Sequence, residues 1–353
     1  MKNNIQQLVR NHILKMSAYS AARTEYTGND AIFLDANENP IGSVCSEIHN
    51  RYPDPMQIAI KKQLALLEKV SENQIFIGNG SDECIDVFVR VFCEPKAESI
   101  LTCPPVFSMY EHVAHIQDVA IKEILLTELF QLNVDVILEE IKKDTSIKII
   151  FICTPNNPTG NNISPNDIEK ILTQFNGLVV IDEAYQDFSS AESWTNRLNE
   201  FNNLVVIKTL SKAYGMADVR IGMLFANEEI IHYLNVIKMP YNVNTHSQKL
   251  ALEALNNIQQ KNAFVQTLNE SKKWLISEIE TIAYIQHIYP SDANFFLIKV
   301  ADANDLYQYL IRHKIIVRNR NNAPLLKGCL RISVGTNDEN KRLIEVLKMY
   351  KSN

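Results

Sequence analysis

Several stretches of this chain are apolar almost without interruption: IKIIFIC at 147–153, LVVID at 178–182 and LVVIKT at 204–209. Short, β-branched and ending in turn-forming residues, they predict strands buried on both faces. Between them the pattern changes to one apolar stripe per helical turn. GNGSDECIDVFVRVF from Gly78 predicts a helix with Ile85, Val87, Phe88, Val89 and Phe92 on its apolar side and Ser81 or Asp82 as its cap. Ser164-Pro165-Asn166-Asp167 predicts another, with an N-cap, a proline in the first turn and a capping-box acid. Strand-like and helix-like segments alternate over roughly 75–227, the doubly wound α/β pattern.

After Pro240 the pattern is different. A long helical connector leads to ANFFLIKV, a helix ending near His313, IIVRN, CLRISVG and a last helix opened by Thr336 with Glu339 in its first turn. The expected organisation is an N-terminal arm over 1–40 that packs with a small domain, a large domain over 41–240, and a connector helix with a small α+β domain over 241–353.

The candidate chemistry sits where the apolar runs end. TLSKAYGMADVRIG at 209–222 holds Lys212 in a hydroxyl-rich, glycine-containing turn directly after LVVIK, with Arg220 downstream. A surface lysine is the commoner meaning of such a peptide alone, but the arrangement suits a lysine forming a Schiff base with an aldehyde cofactor whose phosphate is held by hydroxyls and a guanidinium. TPNNPTG at 154–160, a rigid turn after a buried strand, can aim Asn157 at the phenolate oxygen of a cofactor ring. LVVIDEAYQDF ends its run in Asp182, a partly desolvated carboxylate that needs a cationic partner such as a protonated pyridine nitrogen, and Tyr185 can reach the ring's other edge. Taken alone, a strand-end aspartate is as often a magnesium ligand or a helix cap. GNGSDE offers a phosphate site at a helix N-terminus; it is not a dinucleotide fingerprint, because Glu83 stands where that motif has its last glycine.

The ordered set RYPD, GNGSDE, PPVFSMY, TPNNPTG, DEAY, TLSKAYGMADVRIG and CLRISVGT resembles the pyridoxal-phosphate aminotransferases of fold type I over about 19–335, and among them most the histidinol-phosphate aminotransferases. The resemblance implies an α/β fold whose large domain has a mostly parallel mixed sheet flanked by helices, beside a smaller α+β domain. It implies that Lys212 carries pyridoxal 5'-phosphate as a Schiff base, Asp182 pairs with the pyridinium nitrogen, and Asn157 and Tyr185 bond the phenolate oxygen. Gly80, Ser81, Asp82, Thr209, Ser211 and Arg220 would hold the cofactor, with Tyr52 of RYPD reaching across from the partner of a homodimer, and Tyr110 would lie over the ring. For substrate it implies Tyr19, Arg318 and Arg331, which suit a phosphorylated amine and the carboxylates of glutamate. The implied reaction exchanges an amino group between histidinol phosphate and 2-oxoglutarate, in histidine biosynthesis. A phosphothreonine decarboxylase or an aromatic aminotransferase shares most of these motifs. Asp218 stands where this family most often has glycine, an acid placed to compete for Arg220, and Phe107 stands where tyrosine is frequent.

Composition narrows the alternatives. A net charge of −6 gives no support for nucleic-acid binding, and the six cysteines show no C-x-x-C spacing, so they read as reduced thiols of a cytoplasmic protein. The N-terminus has no secretory apolar core, and no apolar run approaches membrane-span length. His112 and His115 share a helical face without further ligands, so no metal is expected. A cofactor-sensing regulator would need a DNA-binding module, for which 353 residues leave no space.

Overall fold

The computed structural model describes residues 4–18 and 31–351. Its main sheet contains β1 (Ile75–Asn79), β2 (Ser99–Thr102), β3 (Ala120–Glu123), β4 (Ile147–Cys153), β5 (Leu178–Asp182), β6 (Leu204–Thr209) and β7 (Ile221–Ala226). The strands lie in the order β1-β7-β6-β5-β4-β2-β3. The pairs from β6 through β3 are parallel, whereas β7 runs antiparallel to both β6 and β1, making a mixed, mostly parallel sheet.

The apolar runs are continuous because successive side chains enter different cores. In β5, Val179 and Ile181 pack with Ile168 and Ile171 of α5 (Pro165–Gln174), Ile137 of α4 (Val134–Lys143) and Leu64 of α1 (Ile58–Glu68). Leu178 and Val180 pack on the other side, with Ile85 and Phe88 of α2 (Gly80–Phe92), Val113 of α3 (Met109–Ile116) and Leu234 of α6 (Glu228–Ile237). The same alternation divides Leu204 and Val206 from Val205 and Ile207 in β6. By its parity Asp182 therefore belongs to the α2–α3 face, and Glu183 to the opposite one.

The connector is two helices, α7 (Thr245–Asn256) and α8 (Ile258–Glu280), separated at Asn257. Beyond it β8 (Ile285–Ile288), β9 (Phe295–Val300), β10 (Arg318–Asn319) and β11 (Cys329–Ser333) form a separate antiparallel sheet in the order β10-β11-β9-β8. Its core joins Leu275 and Ile279 of α8 to Leu306 and Leu310 of α9 (Ala303–Arg312) and Leu343 and Leu347 of α10 (Asn337–Met349).

The helix starts differ in detail from the sequence expectation. The Thr336–Glu339 capping box forms. Ser164 does precede α5, but its side chain makes no capping bond, and its backbone N–H donates to Gln131 instead. α2 begins at Gly80, so Ser81 and Asp82 fall inside its first turn and neither is the cap; Asn79 is the N-cap residue and gives no side-chain bond. Of the first N–H groups of α2, that of Gly80 donates to the Arg220 carbonyl at 2.9 Å.

This helix start is pressed against β7. Gly222 pairs with Gly78 on one side and Thr209 on the other. A Cβ on Gly222 would collide with the backbone of Gly80 and Ser81. Gly222→Ala is therefore expected to cost about 1–3 kcal/mol, the usual range for overpacking a filled interior. Urea denaturation should show a lower midpoint; a midpoint equal to that of the unmodified protein would mean that β7 and α2 separate freely.

Candidate active site

Parallel strands bring their carboxyl ends together, and here β4, β5 and β6 deliver the chemistry. Cys153 at the end of β4 is in register with Asp182 at the end of β5, and Asp182 with Ile207 of β6. Asn157 follows β4 in its turn, Lys212 follows β6, and both line one cavity of about 160 Å³ with Asp182, Tyr185, Ser81 and Arg220. Groups distant in sequence are thus brought into one pocket at neighbouring strand ends.

Asp182 is only 2% exposed. Burial pushes its carboxyl above the usual range, opposed by hydrogen bonds from Tyr110 and Ala184 and by the charge of Lys212. The Tyr110 hydroxyl donates to Oδ2 at 2.7 Å and the Ala184 N–H donates to Oδ1 at 3.0 Å. Tyr110 consequently does not lie over the cavity as expected. It is fully buried and stacks on Phe151 with ring centroids 4.6 Å apart, because it enters the first turn of α3 on the face turned to the sheet. Phe107, before that helix, lines the cavity instead, edge-on to Tyr110 at 5.6 Å.

The Lys212 amine lies 5.7 Å from the centroid of the Tyr185 ring. Burial, and next the guanidinium of Arg331, hold its proton affinity below that of an ordinary lysine. Asn157 donates through its amide nitrogen to the Tyr185 hydroxyl at 3.4 Å, and its amide oxygen accepts from Arg331.

At the α2 end the geometry suits an anion. Gly80 has φ +72°, and a Cβ there would meet the Arg220 guanidinium at 2.5 Å. Arg220 itself has φ +57°, a left-handed conformation rare outside glycine, held by the Gly80 N–H donating to its carbonyl at 2.9 Å. Its guanidinium donates to Asp82 at 3.1 Å and to the Ala217 carbonyl at 3.2 Å. Asp218 is exposed, and the carboxylate that meets Arg220 is Asp82. The Thr209 hydroxyl donates to Ser211 Oγ at 3.0 Å and accepts the Ser211 N–H at 3.1 Å, fixing the turn before Lys212.

Arg331, in β11, lies with its guanidinium 4.9 Å from the Phe295 ring centroid. Its buried Nε has no hydrogen-bond partner among the described residues. Arg318 is directly opposite Arg331 in register but is exposed, and the two line a shallower cleft of about 670 Å³. Tyr52 lies outside the Lys212 cavity, half-exposed and stacked on Tyr241 at 4.4 Å. Tyr19 falls outside the described residues. His112 and His115 are both exposed on α3.

The model of the aminotransferase class I and II family matches residues 20–347. The chain belongs to this family. A histidinol-phosphate aminotransferase of Cytophaga hutchinsonii is 47% identical over 350 residues, covering 99% of this chain and 100% of that one. One from Flavobacterium psychrophilum is 48% identical over 347 residues, 98% of each chain. Among solved structures, a histidinol-phosphate aminotransferase from Sinorhizobium meliloti, in complex with pyridoxal-5'-phosphate, superposes with a TM-score of 0.79 at 21% identity over 89% of both chains. At that identity it shows the fold, which is the fold type I architecture described above.

As an aminotransferase of this class, the chain has one cavity residue, Phe107, that stood in the sequence only as a departure. Arg320, outside that cavity but within reach of the charges of Arg331 and Arg318, was not singled out at all. Arg320 follows Arg318 by two positions, the spacing that returns a strand side chain to the same face. Its N–H continues the pairing of β10 by donating to Cys329 at 3.0 Å. Burial and the charges of Arg331 and Arg318 lower its proton affinity to about 10, and its buried Nε has no partner among the described residues.

The carboxyl of Asp182 makes a measurable demand on folding. A carboxyl whose folded pKa lies above its unfolded one loses stability as pH rises from the unfolded to the folded value, so above that window the ionised group is a cost. Cofactor-free Asp182→Asn is therefore expected to melt at the same temperature as the unmodified protein or higher near neutral pH. The difference should shrink on acidification. Scanning fluorimetry checks this, and a melting temperature several degrees lower would make Asp182 a structural anchor.

Proposed function

We propose that this chain is a histidinol-phosphate aminotransferase, exchanging an amino group between histidinol phosphate and 2-oxoglutarate with pyridoxal phosphate as cofactor. The observation that supports it most is one cavity holding Lys212, a buried Asp182 and an arginine-lined anion cradle, in a chain nearly half identical to named histidinol-phosphate aminotransferases. Decarboxylases of the same architecture, such as the L-threonine-O-3-phosphate decarboxylase of Porphyromonas gingivalis at 21% identity, share the fold alone.

The donor set fits the cofactor. The half-buried first turn of α2 with Ser81, together with Ser211 and the Arg220 guanidinium for which the missing Gly80 Cβ leaves room, forms a cradle of the kind that holds a phosphate. Asp182 supplies a buried anion for a protonated ring nitrogen, and the Asn157–Tyr185 pair supplies donors for a phenolate oxygen. Bound there, pyridoxal phosphate would supply an electron sink for the electrons released at the substrate's α-carbon.

The chain's own residues do the rest. Lys212 Nζ would hold the cofactor by its aldehyde and, once freed by the incoming amine, with its lowered proton affinity would be the base that takes the α-proton and returns it. Arg331 is held by Phe295 and Asn157 with a donor to spare, so it can receive the acidic end of either amino donor, a phosphate or a carboxylate. Arg318 would complete that end, and so, by the family resemblance, would Tyr19. In this reading 41–240 holds the cofactor and 241–353 supplies the arginines for the substrate; Ile5, Val9 and Ile13 of the arm pack in the large domain's α2–α3 core and not, as expected, with the small domain. The protein works in the cytoplasm as a homodimer; among the described residues no helix is long and apolar enough to cross a membrane.

Purified protein given pyridoxal phosphate, histidinol phosphate and 2-oxoglutarate should form glutamate, and O-phosphothreonine should release no carbon dioxide. Lys212→Ala should lose borohydride fixation of the cofactor and nearly all turnover. Glutamate formation by Lys212→Ala at the normal rate, or carbon dioxide as the main product, would overturn the reading.

Tyr52 provides the test of a shared site. In a mixture of Lys212→Ala chains with Tyr52→Phe chains, each heterodimer would contain one pocket with native Lys212 and a native Tyr52 from its neighbour. Cofactor affinity in that pocket should recover to that of the unmodified dimer. Affinity that follows each chain's own Tyr52 would show that the site is built from one chain.

A further inference from the structure

Resting on the function just proposed, a second role emerges for the residue that left the cavity. Tyr110 is not simply a core tyrosine. Its ring lies nearly parallel to that of Phe151, 9° apart, in the core on the α2–α3 face of the sheet. Phe151 is in register with Val180, and the next residue of that parity in β5 is Asp182. The stacked ring therefore aims its hydroxyl along the strand direction to Asp182 Oδ2, 2.7 Å away. With Ala184 N–H on Oδ1 at 3.0 Å, each carboxylate oxygen has its own donor and the group cannot rotate without losing one.

The surroundings explain why this matters. The other groups facing Asp182 are Lys212 from the turn after β6, Tyr185 beyond β5, Asp82 and the Cys84 thiol on α2, and the Cys153 thiol on β4. Both thiols are buried and held neutral, and Asp82 opposes a second negative charge. Tyr110 is itself held in its neutral form, chiefly by burial, so its hydroxyl can only donate to the carboxylate.

We propose that Tyr110 is a positioning residue of the reaction: its hydroxyl fixes the Asp182 carboxylate for pairing with the cofactor's pyridine nitrogen. Phe107, which lines the cavity, has no hydroxyl and cannot substitute.

The test is Tyr110→Phe, which removes one oxygen and keeps the stacked ring. Loss of a bond to a charged acceptor should lower kcat roughly ten- to hundredfold, with KM for histidinol phosphate within about twofold. With cofactor labelled with nitrogen-15 in the ring, the resonance should move toward that of neutral pyridine, while the melting temperature of the cofactor-free protein stays close to that of the unmodified protein. Combined with Asp182→Asn, the Tyr110→Phe change should add almost nothing, because it acts through a carboxylate already removed. An unchanged nitrogen resonance with additive rate losses would reduce Tyr110 to packing and overturn the proposal. If the unmodified protein neither binds pyridoxal phosphate nor forms glutamate, the functional reading fails, and this inference with it.

Discussion

A carboxylate buried at the end of an apolar strand is the constraint around which this molecule is arranged. Taking such an anion out of water costs several kcal/mol unless donors and a cation replace its hydration. Asp182 receives two neutral donors, a hydroxyl from α3 and a backbone N–H just beyond β5. Both depend on the sheet. The strand register sets Asp182 beside Cys153, the stack of Tyr110 on Phe151 sets the hydroxyl, and the turn after β5 sets Ala184. A shift of β5 by one residue would turn Asp182 into the opposite core and expose Glu183 to the cavity.

The anion cradle rests on a second constraint, the closeness of backbones. Gly222 lets β7 press against the start of α2, and Gly80 leaves room for the Arg220 guanidinium. Arg220 adopts a left-handed backbone so that its carbonyl accepts the Gly80 N–H while its side chain turns back over the helix start. The cationic end of the cavity therefore follows from main-chain geometry, with the arginine positioned by glycines on either side of it. Asp82 holds that guanidinium in place from the first turn of α2, at the modest strength expected of a half-exposed pair.

The strands were legible because burial on both faces leaves no polar interruption: IKIIFIC, LVVID and LVVIKT are β4, β5 and β6. For the same reason the sequence itself puts Lys212, Asp182 and Asn157 at or just beyond strand ends. Details that depend on a helix's first residue were not legible. Whether Phe107 or Tyr110 faces the cavity turns on where α3 begins, and with the helix starting at Met109 the two aromatics point in different directions. Likewise α2 starts at Gly80 and not beyond Asp82, which changes Ser81 and Asp82 from caps into members of the first turn. At Ser164 the side chain stayed out of the expected box while the backbone N–H found Gln131, a residue distant in sequence. Arg320 was missed because its signal is a period of two in a strand only two residues long.

The neighbouring carboxylates Asp182 and Glu183 are two buried charges with opposite surroundings. The pleat sends them to opposite faces of the sheet. Glu183 is fully provided for: Ser193 donates at 2.5 Å, the Trp194 N–H at 2.6 Å, and the Lys208 ammonium lies at 3.6 Å. Lys208 is bound in turn by Glu68 at 2.6 Å, so that charge network closes on itself. Asp182, with neutral donors on both oxygens, makes no ion pair among the described residues within contact distance, and Lys212 acts on it only from further away. A closed network is a finished piece of structure. A buried anion held rigidly by neutral donors, opening on a cavity, still has room for a cation, and the protonated ring nitrogen of the proposed cofactor is a cation of the right kind.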